Sequence, residues 1–336
     1  MKKRNRRFLS VSFALVIMIT IVSLVSLNMG TFQISPLSVL KTLFGSGSEN
    51  ESLVLFEFRL PRIVLALLIG AGLAVSGAIL QGVSQNGLAD PGILGINAGA
   101  GFAVVLFIYY VEGSAIGLGG FSVFVMPFFA FSGALLAAVL IYVLAWKKGI
   151  SPIRLILVGI AVNAGFGAAL LFFQLRMEPE DFMQATIWLS GSIWGADWLF
   201  VSAVLPWILV LLPFAIYKAR HLNILNLGDQ MAAGLGTAVE KERRLLLIAA
   251  AALAGACVSA GGGIAFLGLV APHLTRRLIG PGHQALLPAS ALMGALLLLL
   301  ADTIGRNILA PSEIPVGLIV SVLGAPYFIY LLMKIR

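Results

Sequence analysis

Few residues in this 336-residue chain could carry covalent chemistry, and those few are scattered. His273 and His283 have no cysteine or acid companions, which makes them a poor iron site, so no metal is expected. The single cysteine, Cys257, can form no intrachain disulfide; its Ala/Gly-rich apolar surroundings mark it as a small packing residue. No GxxxxGK[ST] loop is present to cradle nucleotide phosphates, so any ATP chemistry must come from another chain. Nor is there a clustered nucleophile, base or metal set of the kind an enzyme needs. The groups that remain are suited to binding and movement. They are the arginines Arg59, Arg62 and Arg306, and a polar, glycine- and proline-interrupted turn from Gln85 to Gly92.

The stretch 59–101 must position most of these. Ala66, Gly70, Ala74, Ala78 and Gly82 recur every fourth place, so they share one face of a helix. In lipid such a face lets a second helix approach closely, where packing supplies the adhesion that the hydrophobic effect cannot. The turn that follows is irregular backbone beside a membrane, tolerated where protein or a water-filled path satisfies its amides. It reads as the inner end of a passage.

Composition supports the membrane setting. Apolar residues make up 60% of the chain and charged residues 11%, with a mean hydropathy of +1.03; ordinary soluble domains carry about 25% charge. The net charge of +8 would point to nucleic acid in a soluble chain, but here the charges follow the membrane, so no nucleic-acid partner is expected. Basic residues open the chain and are followed by an apolar run, 8–29, too long for a signal-peptide core; it reads as a retained first helix. Further spans are expected at roughly 61–84, 93–111, 121–146, 152–175, 198–217, 244–260, 264–279, 285–305 and 315–333, making about ten. With both termini cytoplasmic, 17 of the 22 Lys and Arg residues fall inside and 10 of the 14 acids outside, as the positive-inside rule requires. The fold class is therefore an all-α polytopic membrane protein, a single domain over 1–336.

The connections add detail. Residues 30–58 have room for a short amphipathic helix and a Gly/Ser/acid tip. Pro179 is placed to open a helix, with Trp188, Trp194 and Trp198 suited to an interface belt. In the longest cytoplasmic loop, 218–244, Gly228 and Gly236 bracket a helix-length segment that starts at Asp229, where an acid suits the helix dipole. Two short helices and a tight turn there would make a protein-docking knob. Residues 70–77 (GAGLAVSG) and 254–261 (AGACVSAG) echo each other in spans that run oppositely, the pattern of an inverted repeat.

The words RLPR (59–62), GAGLAVSG (70–77), LNILNLG with AAGLG (222–236), GGIAFLGLVAPHLTR (262–276), LPAS (287–290), ADTIGR (301–306) and EIPVG (313–317) occur in order along the chain. With them it resembles the FecCD-type permease family of ATP-binding-cassette importers for iron-siderophores, haem and cobalamin. The resemblance implies a cobalamin-importer-type fold in the cytoplasmic membrane of a bacterium. It also implies a second permease subunit (a paralogue more than a copy), a partner ATPase dimer, an extracytoplasmic substrate-binding protein and alternating access. A ferric siderophore is the implied cargo, with cobalamin or haem as alternatives, and no cofactor or enzymatic step is implied. On matching positions, Arg59, Arg62 and Arg306 would dock the binding protein; Asn86 and Leu88 would form the cytoplasmic gate; and Leu227, Gly228, Ala232, Ala233 and Gly236 would sit in the ATPase coupling loop. Gly87 stands where the family commonly has proline, which predicts a looser turn. An ion-coupled secondary transporter is the rival class, disfavoured because nearly every charge lies at a span end.

Overall fold

The structure, a computed structural model, describes residues 2–30, 34–92, 94–112, 122–147 and 149–334. Among the described residues, fourteen α-helices follow one another: α1 (Lys2–Asn28), α2 (Pro36–Leu43), α3 (Glu49–Leu53), α4 (Leu60–Ser84), α5 (Ile96–Phe107), α6 (Ser122–Ala145), α7 (Pro152–Gln174), α8 (Pro179–Leu189), α9 (Trp198–Leu225), α10 (Asp229–Gly234), α11 (Val239–Gly261), α12 (Leu267–Ile279), α13 (His283–Ile308) and α14 (Val316–Lys334). Eight helical segments among the described residues are long and apolar enough to cross a bilayer. The other two expected spans are short. α5 has 12 residues and α12 has 13, against about 20 for a full crossing, so the count of ten is not reached by length alone.

α4 is the hub. It packs against α9, α11, α12 and α13, and 78% of its apolar window is buried, against 6% for α1 and 11% for α7. The small-residue face explains the hub's closeness to α13: a Cβ on Gly70 would lie 2.4 Å from the carbonyl oxygen of Gly294. The two echo segments also meet here, since Gly72 of α4 lies against Cys257 of α11, and next to that contact Ser76 Oγ donates to Ala250 O of α11 at 2.7 Å.

Three boundaries differ from expectation, each for a physical reason. The helix expected from residue 61 begins at Glu49, where Ser48 and Glu51 form a capping box, and it runs unbroken to Ser84. It widens into a π-helical stretch at Val54–Arg59, one turn before Pro61, whose missing N–H leaves the regular bonding pattern incomplete. α9 continues past 217 to Leu225 because no breaker intervenes before Gly228, and α11 starts at Val239 with Glu240 and Glu242 in its favourable first turn. Pro179 opens α8 as expected.

The chain between α11 and α12 is not helical. Gly262 (φ +68°) carries it past the end of α8, where a Cβ would sit 2.1 Å from Trp188 O. Gly263 N donates to that same carbonyl, and Asn97 Nδ2 donates to Ile264 O at 3.0 Å, so the exposed amides of this break find protein partners.

Candidate functional site

The predicted residues collect at two opposite ends of the bundle. At the outer end, the start of α4, the end of α13 and the end of α1 converge. Arg62 Nη2 lies 2.8 Å from Asp302 Oδ1 and its Nη1 2.8 Å from Glu313 Oε2, in the loop before α14. Arg306 sits 3.6 Å from the other Asp302 oxygen and donates to Ser26 of α1 through both backbone carbonyl and hydroxyl. Arg59 donates to Leu27 O. All three predicted docking arginines are therefore turned inward, and only about a tenth of the Arg62 and Arg306 side chains is exposed. Asp302, fully buried, is the anion that gathers two of them. The buried pair of Arg62 and Arg306 is held because each has an opposite charge close by in Asp302, while Arg59 rests on a backbone carbonyl.

At the inner end, α4 stops at Gln85, which takes a left-handed conformation (φ 51°). Asn86 Oδ1 accepts from Leu88 N at 3.0 Å, closing a side-chain turn that fixes the Asn86–Leu88 segment without proline at position 87. Gln85 Nε2 donates to Leu225 O at 2.8 Å, the last residue of α9. The expected gate turn is thus bonded to the first residues of the expected coupling loop. Gln81 braces the turn from behind: its amide donates to Gly268 O at 3.2 Å and its oxygen accepts from Arg276 Nη2 at 3.2 Å.

The knob itself is α10, entered at Gly228 (φ +93°) and left at Gly236 (φ +78°). Ala232 is fully buried under it, whereas Ala233 is exposed. Its outer face presents Leu227, Met231 and Leu235, each more than half exposed. Arg243 fixes the knob to the body from a site 1% exposed. It reaches Asp229 at 2.5 Å, Glu240 at 3.0 Å and Ile150 O at 2.7 Å, so the knob, the start of α11 and the α6–α7 turn share one guanidinium. His283 is held by Asn223 Oδ1 at 2.8 Å, and His273 lies edge-on to Tyr327 with centroids 5.7 Å apart; the two histidines are engaged separately.

Glu313 and Arg243 were not singled out from sequence, whereas Asp302 could be read as an i,i+4 partner of Arg306 and Gln85 only as the first residue of the polar turn. Their partners lie up to 251 positions away, and the local signals are the i,i+4 spacing of Asp302 and Arg306 and the i,i+3 spacing of Glu240 and Arg243.

A profile of the FecCD transport family matches residues 17–334. The chain is 65% identical over 334 residues to the iron(3+)-hydroxamate import system permease protein FhuG of Bacillus subtilis, covering 99% of each chain. It is 41% identical over 325 residues to the hemin transport system permease protein HmuU of Yersinia pestis, covering 96% of this chain and 95% of that one. Among solved structures, an inward-facing metal-chelate type ABC transporter superposes with a TM-score of 0.83 at 30% identity, over 97% of this chain and 99% of the other.

Proposed function

This chain belongs to the FecCD transport family, and on that premise we propose that it is the permease subunit of an ATP-driven importer that carries a ferric hydroxamate siderophore across the cytoplasmic membrane. The observation that carries the reading is the knob: three large apolar side chains stand exposed on and beside a short helix outside the membrane, Met231 within it and Leu227 and Leu235 at its two ends, with a buried arginine as anchor. Exposed apolar residues on a rigidly held element suit a protein partner, here the ATPase dimer. The Gln85–Leu225 hydrogen bond gives a push on the knob a direct route to the Asn86–Leu88 turn. In this reading the partner's ATP cycle shifts the α9 end, and the gate turn moves with it. The permease performs no covalent step.

At the outer end Arg59, Arg62 and Arg306 serve the landing of an extracytoplasmic binding protein. Because their guanidinium groups are occupied internally, they act through the shape they impose on the ends of α1, α4 and α13, with Glu313 as the more exposed charge of the group. Arg62→Glu should then lower binding-protein affinity and melting temperature together; loss of affinity with unchanged melting would instead make Arg62 a direct docking charge.

The cargo is tested by uptake of labelled iron, supplied as hydroxamate and catecholate siderophores, with haem and cobalamin alongside, in cells lacking this chain. Selective loss of hydroxamate uptake is expected. Intact hydroxamate uptake with loss of another cargo would keep the permease and replace the substrate, while loss of none would overturn both.

A further inference from the structure

We propose that the inner-leaflet end of α5, α6, α7 and α11 binds one anionic phospholipid, with its phosphate on Arg244 and part of an acyl chain in the apolar cavity beside it. That cavity has a volume of about 180 Å³ and is walled almost wholly by carbon, including Leu94, Ile141, Leu155 and Ile248, with Tyr142 and Arg244 among the residues that line it. Arg244 lies near the start of α11 and the wall reaches Ala251 on the same helix. Seven residues at about 1.5 Å each give roughly 10 Å of depth, which stays within the inner half of a hydrocarbon core about 30 Å thick.

Charge selects the occupant. Arg244 is exposed and has no ion-pair partner among the described residues. The acids closest to it in sequence are already engaged, Glu240 by Arg243 at 3.0 Å and Glu242 by Lys218 at 2.8 Å. Of the other cations at this end, Arg154 is turned to Ala145 O at 3.2 Å. Tyr142 and Trp146 stand together with ring centroids 5.6 Å apart, and Trp146 is 46% exposed. Rings of this kind settle at headgroup level. A free cation level with an aromatic pair, above a dry hollow, matches a phospholipid with a negative headgroup, and basic pockets between helices on the cytoplasmic side are suited to such lipids. The inference depends on the membrane orientation alone and not on what the importer carries.

The test is native mass spectrometry of the assembled importer, taken from nanodiscs of phosphatidylglycerol and phosphatidylethanolamine and washed with delipidating detergent. Phosphatidylglycerol should be retained about five-fold above its bulk share, the preference expected for one arginine near the surface. Arg244→Gln should abolish that preference while leaving melting unchanged. Ala138→Phe, which fills the hollow, should remove retention of both lipids. An unchanged lipid ratio in Arg244→Gln, unchanged retention in a normally melting Ala138→Phe, or no retained lipid because a second permease subunit closes the cavity, would each overturn the proposal.

Discussion

Replacing Gly70 with alanine should loosen the protein even though alanine is the better helix former. A methyl group at this position would sit 2.4 Å from Gly294 O and 2.8 Å from Ala295 Cα, whereas ordinary contact begins at 3.4 Å. Backbone atoms cannot rotate away as a side chain would, so α4 and α13 must part locally by about 1 Å. The gain in helix propensity is about 1 kcal/mol, and overpacking typically costs about 1–3 kcal/mol. Between helices in lipid, separation also forfeits the packing that holds them together. These two figures leave a loss of up to about 2 kcal/mol, which the forfeited packing pushes to the larger end, read as a lower melting temperature in fluorescence-detected gel filtration of heated, detergent-solubilised protein. Gly294→Ala, whose Cβ would lie 2.2 Å from Gly70 O, should do the same. The double variant should lose less than the sum, because one separation relieves both clashes. Gly165→Ala on α7, where a Cβ meets nothing within 4 Å, is the control and should be neutral or slightly stabilising. If Gly70→Ala melted like the unaltered chain, or Gly165→Ala lost as much, backbone contact would not be what joins α4 to α13.

Three further outcomes are expected. Asp302→Asn removes the anion shared by Arg62 and Arg306 and should cost about 3–5 kcal/mol, seen as lower melting and lower abundance in the membrane; wild-type melting would show the cluster to be dispensable. Ala233→Asp should leave the fold intact and separate ATP hydrolysis from uptake in reconstituted vesicles, while Ala232→Asp, at a fully buried position, should unseat the knob and lower both; identical behaviour would dissolve the distinction between partner-facing and packed sides. Gln85→Leu breaks the tie to Leu225 and should reduce uptake several-fold with partner ATPase activity retained, and normal uptake would remove this bond from the coupling route.

The fold was largely legible in the chain because membrane spans announce themselves locally, through apolar length and the side on which lysines and arginines collect. α4 could be read as a surrounded helix from its small-residue period, and Pro179 and Gly228 marked the bounds of α8 and α10. What could not be read was which charges meet. Arg62 was legible as an outer cation, but Asp302 and Glu313 lie 240 and 251 positions away, and only the packing of α4 against α13 brings them together. Arg243 counted as one of several cytoplasmic charges until its burial under the knob set it apart. Helix ends were misplaced wherever polar residues continued a helix beyond the apolar run, as at Lys218 to Leu225, because hydropathy marks the bilayer and not the hydrogen-bonding limit.

The central position of α4 also has a consequence for how the protein is made. It is among the first long helices to leave the ribosome, yet its partner α13 ends at Ile308, 224 residues after Ser84. At about 5–20 residues per second, synthesis leaves the helix waiting roughly 10–45 s before α13 is complete. During that interval the face that will be surrounded by protein is open to lipid or to the insertion machinery, and a mean hydropathy of 2.6 over its apolar window is what lets it remain inserted. A defect in α13 would therefore register first as an orphaned α4, and membrane quality control could remove the chain before any transport step is reached.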